Sequence, residues 1–126
     1  MGEKMKKHIA FLSIAAITVT MSASAAIAAS AMNDLVGQTV RAISPTGSIM
    51  VITYGADGKV TIDVNNGDFT DTGVYKVTAT GYCATWTKIH EGKEGCYIVV
   101  KDGNVYLIAN ADTGEVTARA IIPPKS

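Results

Sequence analysis

The sequence predicts an all-β domain: a small antiparallel meander of about eight short strands closing into an up-and-down barrel. A two-layer β-sandwich is the alternative. Three observations point there. Turn signals recur at short intervals between residues 45 and 114. The runs between them are rich in Val, Ile, Thr and Tyr, which suit a half-buried pleated surface. The connections are also too short for parallel crossovers, which take a dozen or more residues. Closure is the economical end to such a meander because it removes both exposed edges.

The turn signals are Pro45-Thr46-Gly47, Ala56-Asp57-Gly58, Asn65-Asn66-Gly67, Glu91-Gly92-Lys93, Asp102-Gly103 and Asp112-Thr113-Gly114. Asn-Gly and Asp-Gly pairs accept the positive φ angles that tight hairpins demand. The strands expected between them are Gln38–Ile43, Ser48–Tyr54, Lys59–Val64, Val74–Thr80, Tyr82–Ile89, Gly95–Lys101, Asn104–Asn110 and Glu115–Ile122. Alternation is clearest in the third, where Val60, Ile62 and Val64 oppose Thr61 and Asp63, and in the last, where Val116, Ala118 and Ala120 oppose Thr117 and Arg119. One buried and one exposed face marks an antiparallel sheet. A helical turn is expected over Asn33–Val36, and the Pro123–Ser126 tail reads as a frayed end.

Ahead of this domain, Lys4, Lys6 and Lys7 precede an apolar run from Ile9 to Val19, followed by a small-residue stretch up to Ala31. A positive start, a short apolar middle and a small-residue tail make a secretory signal peptide. The apolar run falls short of the roughly 20 residues that a bilayer span takes. Residues 1–28 are therefore expected to be the signal, cut after Ala28 within three residues either way, and 29–126 a single domain. An uncleaved membrane anchor is the alternative. The address is periplasmic or secreted, with no membrane span left after cleavage.

Removing 28 of 126 residues leaves 98, with eight basic against ten acidic side chains and a net charge near −2. That balance gives no electrostatic reason to bind nucleic acid, which takes clustered Lys and Arg. A domain this small buries a limited core and often carries a covalent staple. Cys83 and Cys96, the only cysteines, can supply it in an oxidising compartment. Free thiols or a metal pair are the alternatives, although one histidine in the mature region makes a poor metal set.

Motifs for chemistry are sparse. His90-Glu91 begins like a zinc protease motif, but the second histidine that motif requires is replaced by Glu94. A Cys83–His90 nucleophile pair would need a reduced thiol, and seven residues along one strand separate the two by over roughly 20 Å. The carboxylates Asp57, Asp63, Asp68, Asp71, Asp102, Asp112 and Glu115 are scattered. Asp57, Asp102 and Asp112 belong to turns, while Asp68 and Asp71 around Phe69 are the least explained. No glutamate closes a calcium loop on Asn65-Asn66-Gly67-Asp68. Neither a catalytic set, a metal site nor a cofactor is therefore expected.

Among the aromatics, Tyr82, Ala84 and Trp86 share one strand face. That face either lines a ligand mouth or packs as core, and with short strands and small aliphatic residues a filled interior is expected. Trp86, Tyr82, Tyr97 and His90 are the candidate ligand- or partner-binding residues.

The segments Gly81-Tyr82-Cys83-Ala84-Thr85-Trp86, Gly92-Lys93-Glu94-Gly95-Cys96-Tyr97 and Asp102-Gly103-Asn104-Val105-Tyr106 resemble a family of small exported proteobacterial β domains of unknown function. The resemblance covers about a quarter of the chain. It implies a Cys83–Cys96 bridge, a compact β fold and a periplasmic address, and it carries no activity with it. Residues and resemblance together suggest a non-enzymatic binding or interaction module, with a protein partner or small ligand in the envelope. A small hydrolase using carboxylates and a structural envelope component are the alternatives.

Overall fold

The structure, a computed structural model, describes residues 31–124. The expected signal peptide (1–28), its cleavage site and the last two residues of the tail lie outside the described residues. Eight strands follow in sequence order: β1 (Thr39–Ile43), β2 (Ile49–Tyr54), β3 (Lys59–Val64), β4 (Phe69–Val77), β5 (Gly81–Trp86), β6 (Glu94–Asp102), β7 (Val105–Asn110) and β8 (Val116–Ile121). Each pairs antiparallel with the next, and β8 pairs with β1 to close the barrel. The meander and its closure match the sequence-based expectation. The sandwich alternative is excluded.

Alternation decides what is inside. Val40 and Ala42, Ile52 and Tyr54, Val60, Tyr82 with Ala84 and Trp86, Val99, Tyr106 with Ile108, and Ala118 with Ala120 form one buried cluster. Tyr54, Val40, Val60 and Val99 have no exposed surface at all. Burying an aliphatic or aromatic side chain of this size is worth about 1.5–3 kcal/mol. Eight strands enclose a space that side chains of this kind can fill.

Most strand limits fall within one residue of expectation, but three differ by more, β4 ending at Val77 rather than Thr80 among them. β4 starts at Phe69, five residues before Val74, because Phe69–Gly73 continues the β3 ladder from Val64↔Phe69 to Val60↔Gly73. The stretch Phe-Thr-Asp-Thr-Gly has no apolar alternation, so its strand character comes from pairing alone. β5 ends at Trp86 rather than Ile89, and the chain then turns through residues 87–92. The Asn65-Asn66-Gly67 turn has φ of 51°, 56° and 96°, the left-handed backbone that Asn and Gly tolerate best.

One end of the barrel is closed by the segment before β1. Ala31–Asn33 form a short helical stretch that turns through Gly37, with the Leu35 amide donating to the Met32 carbonyl at 2.9 Å. The turn expected over Asn33–Val36 is thus present and begins slightly earlier. Met32 and Leu35 are fully buried. Asp34 ties the segment to the wall by accepting from the Tyr106 hydroxyl at 2.9 Å and pairing with Lys101 at 3.5 Å. Two glycines sit where β4, β5 and β6 leave no room for a side chain. A Cβ on Gly73 would collide with the Thr85 carbonyl and sit 2.9 Å from Trp86 Cα, and one on Gly81 would collide with the Tyr97 carbonyl.

Candidate functional site

The β5–β6 hairpin and the residues 87–93 that join its strands gather a dense set of polar contacts. Cys83 and Cys96 face each other directly in the register, with Cα atoms 4.0 Å apart, and form a disulfide. They alternate with Tyr82 and Ala84, so the bridge lies on the outer face while the aromatic row points inward. Lys76 and Glu94 make an exposed ion pair beside it at 3.5 Å. Cys83, Glu94 and Cys96 bring ligand-type atoms within 4.8 Å of one another. Both sulfurs are committed to the S–S bond, so the cluster offers no thiolate to a metal.

Asp71 organises the connection. Inward-facing on β4 and only 3% exposed, it accepts from the backbone amides of Thr72 (2.8 Å), Lys88 (2.9 Å) and Ile89 (2.8 Å). Burial opposes its ionisation, but those three N–H donors and the Lys88 charge outweigh burial and lower its pKa. A carboxylate so supplied with donors is a structural acceptor and a poor proton donor near neutrality. Lys88 also donates to the Thr70 carbonyl at 3.0 Å and lies 5.6 Å from the Phe69 ring centre. Asp68, by contrast, is exposed at the turn before β4.

With Lys88 and Ile89 held, the chain makes a tight left-handed turn. His90, Glu91 and Gly92 have φ of 56°, 57° and 78°. Left-handed backbone costs a non-glycine residue roughly 1–2 kcal/mol, and neighbouring structure must hold it there. The turn carries His90 back over Gly95, where a Cβ would lie 3.3 Å from His90 Cδ2 and 3.3 Å from the Tyr97 hydroxyl. His90 Nε2 and Tyr97 Oη then hydrogen-bond at 3.1 Å. A continuous strand through Ile89 would have kept the imidazole far from β6; the break after Trp86 removes that constraint. It creates no nucleophile pair, because Cys83 is disulfide-bonded.

Behind Tyr97 lies a tyrosine cluster. Tyr97 stacks on Tyr82 with ring centres 5.1 Å apart, and Tyr54 meets Tyr82 and Tyr75 edge-on at 5.2 and 5.6 Å. The Tyr54 hydroxyl donates to that of Tyr82 at 3.1 Å, and Tyr75 donates to the Gly55 carbonyl at 2.6 Å. Burial pushes the hydroxyls of Tyr54 and Tyr82 well above the usual tyrosine range, and raises Tyr97 less. All three are therefore neutral donors at physiological pH.

Of the four residues singled out from the sequence, the structure joins three. His90 is exposed, Tyr97 half-buried and Tyr82 buried at 4% exposure, in a continuous line from surface to core. Trp86, 5% exposed, is core and sits opposite Gly73 rather than in that line. Sequence reasoning missed Asp71 as the anchor and Gly95 as the space under His90. Extending the β3 ladder into β4 would have revealed Asp71, since Ile62 pairs with it on the inner face.

Fold and site define a small disulfide-stapled, side-chain-filled antiparallel barrel with one polar, backbone-strained connection at its β5–β6 end. Comparison with protein-family models, curated proteins and solved structures finds nothing that matches this chain.

Proposed function

We propose that the chain is an exported, non-enzymatic interaction module that presents the β5–β6 connection to a partner in the envelope. The observation that carries this reading is the way that connection is held. Two non-glycine residues, His90 and Glu91, occupy left-handed backbone, and a buried carboxylate fixes the preceding residues through two amides. Strain maintained at an exposed turn is a mark of functional sites. A pre-shaped turn also loses less entropy on binding.

Other features agree. The interior is filled, so a partner is met at the outer surface. The wall is apolar inward, and its outer face carries Lys59, Lys76, Arg41 and Arg119 among exposed aliphatic residues. The N-terminal sequence reads as an export signal, and the disulfide is compatible with an oxidising destination.

The test is site-specific photo-crosslinking in the native host. A photo-reactive residue at position 91 is expected to yield a discrete adduct that weakens with His90→Ala, while one at position 39, exposed on β1 four strands from β5 in the closed barrel, yields none. Equal adducts from both positions, or none from position 91, would refute the assignment.

A further inference from the structure

A second surface, on the opposite side of the barrel, is built differently. β1 and β8 share only three paired positions: Arg41↔Ile121, Ala42↔Ala120 and Ile43↔Arg119. On the outer face of this seam lies an open groove of about 490 Å³, lined by Ile43, Ile49, Ile121 and Val105 with Arg41 and Arg119. Its volume falls within the roughly 300–1,000 Å³ of small-ligand sites. Ile43, Ile49 and Ile121 are 48%, 53% and 44% exposed. Single exposed aliphatics are ordinary, but a cluster of three on one wall marks a contact surface.

The register gives this cluster a pattern. Ile43 faces Ile49 across β1–β2 and stands diagonal to Ile121 on β8. An aliphatic row therefore crosses from β7 to β2. Arg41 and Arg119 occupy the other diagonal of the same four positions, a spacing of about 7–8 Å. Both are exposed. Among the described residues neither forms an ion pair, the two that are present being Lys76–Glu94 and Lys101–Asp34. Among the described residues no carboxylate lines the groove.

We infer that this groove binds a single-chain fatty carboxylate, its alkyl tail along the aliphatic row and its head between the two guanidinium groups. Charge complementarity selects the head, because guanidinium forks match a carboxylate in bidentate geometry. The same charges argue against a second copy, since a two-fold contact through this face would bring four arginines together with no acid among the lining residues. They argue equally against a bilayer surface, which is held by clusters of four or more basic residues rather than two. This site is independent of the β5–β6 reading, and either can fail without the other.

Calorimetric titration of the protein as isolated with monomeric dodecanoate tests the assignment. Saturable one-to-one binding is expected. Arg41→Gln or Arg119→Gln should weaken it about tenfold, the loss of one charged hydrogen-bonding partner. Arg119→Lys should recover part of the loss, Ile121→Thr should weaken binding, and neutral dodecyl maltoside should not compete. All these positions are exposed, and thermal melts would verify that each variant is folded. Wild-type affinity in the doubly substituted Arg41→Gln/Arg119→Gln protein would overturn the proposal. So would equal competition by the maltoside, binding to anionic vesicles without binding to dodecanoate, a dimer that Ile43→Thr disperses, or no binding at all.

Discussion

Replacing both cysteines by alanine should destabilise the barrel mainly through the unfolded chain. Cys83 and Cys96 are 13 residues apart in sequence. The loop-closure relation for that length gives about 3 kcal/mol at 25 °C. For a domain of this size, such a loss lowers the melting temperature by on the order of 10–20 °C. The folded hairpin should change little, because five register pairs from Gly81↔Ile98 to Thr85↔Glu94 align it without the bond. Two readouts separate these effects. Urea unfolding should show a lower midpoint with a larger m-value, since the uncrosslinked denatured chain exposes more surface. Amide exchange near Thr85 and Glu94, measured under strongly native conditions, should fall no further than the global loss of stability requires. A destabilisation below about 1 kcal/mol, or selective loss of protection confined to β5–β6, would refute the reasoning. The latter would show that the bond holds the native hairpin rather than restricting the unfolded chain.

Other perturbations address the anchor, the turn and the barrel end. Asp71 has a folded-state pKa below its unfolded value of about 3.9, so its contribution is present above that value and lost as pH falls through the folded one. Asp71→Asn should therefore lower the urea midpoint at pH 7 and flatten its decline below pH of about 4; an unchanged acid limb would remove Asp71 from that role. Glu91→Gly should stabilise the fold by about 0.5–1 kcal/mol in chemical denaturation, as relief of left-handed strain exceeds the entropy of the added glycine. A lower midpoint would mean the turn is not strained. Leu35→Ala should cost about 2–5 kcal/mol, the range for a fully buried leucine, and a loss under about 1 kcal/mol would show that the segment before β1 does not help hold the barrel closed.

The strands legible in the sequence were those with both a pattern and a boundary. Lys59–Val64 alternates cleanly between two glycine-containing turns, and its expected and observed limits coincide. Phe69–Gly73 has no such pattern, so only its pairing with β3 makes it strand. The reverse error occurred after Trp86. Thr87, Lys88 and Ile89 have acceptable strand propensity, but two of their amides are captured by a carboxylate 17 and 18 residues away. A local reading cannot weigh a bond of that sequence separation.

The candidate site divides along the same line. Tyr82, Tyr97 and His90 attract attention by residue type, and the spacing of Cys83 and Cys96 suggests a staple. What brings His90 onto Tyr97 is the absence of a side chain at Gly95 together with two left-handed residues, neither of which composition shows. Leu35 falls in the helical turn expected over Asn33–Val36 and Met32 just before it; nothing in the sequence marks either as core, yet both are fully buried.

By itself, the sequence determined the all-β class, the number and order of the strands and the antiparallel meander, because hydrophobic alternation and turn chemistry act over a few residues and are written locally. The tertiary structure decided the closure of β8 on β1, the capture of the connection by Asp71, the line from His90 to Tyr54 and the arginine–isoleucine pattern across the seam. Each of these joins residues far apart in the chain, and register and curvature, set by the packing of the whole barrel, determine which of them meet.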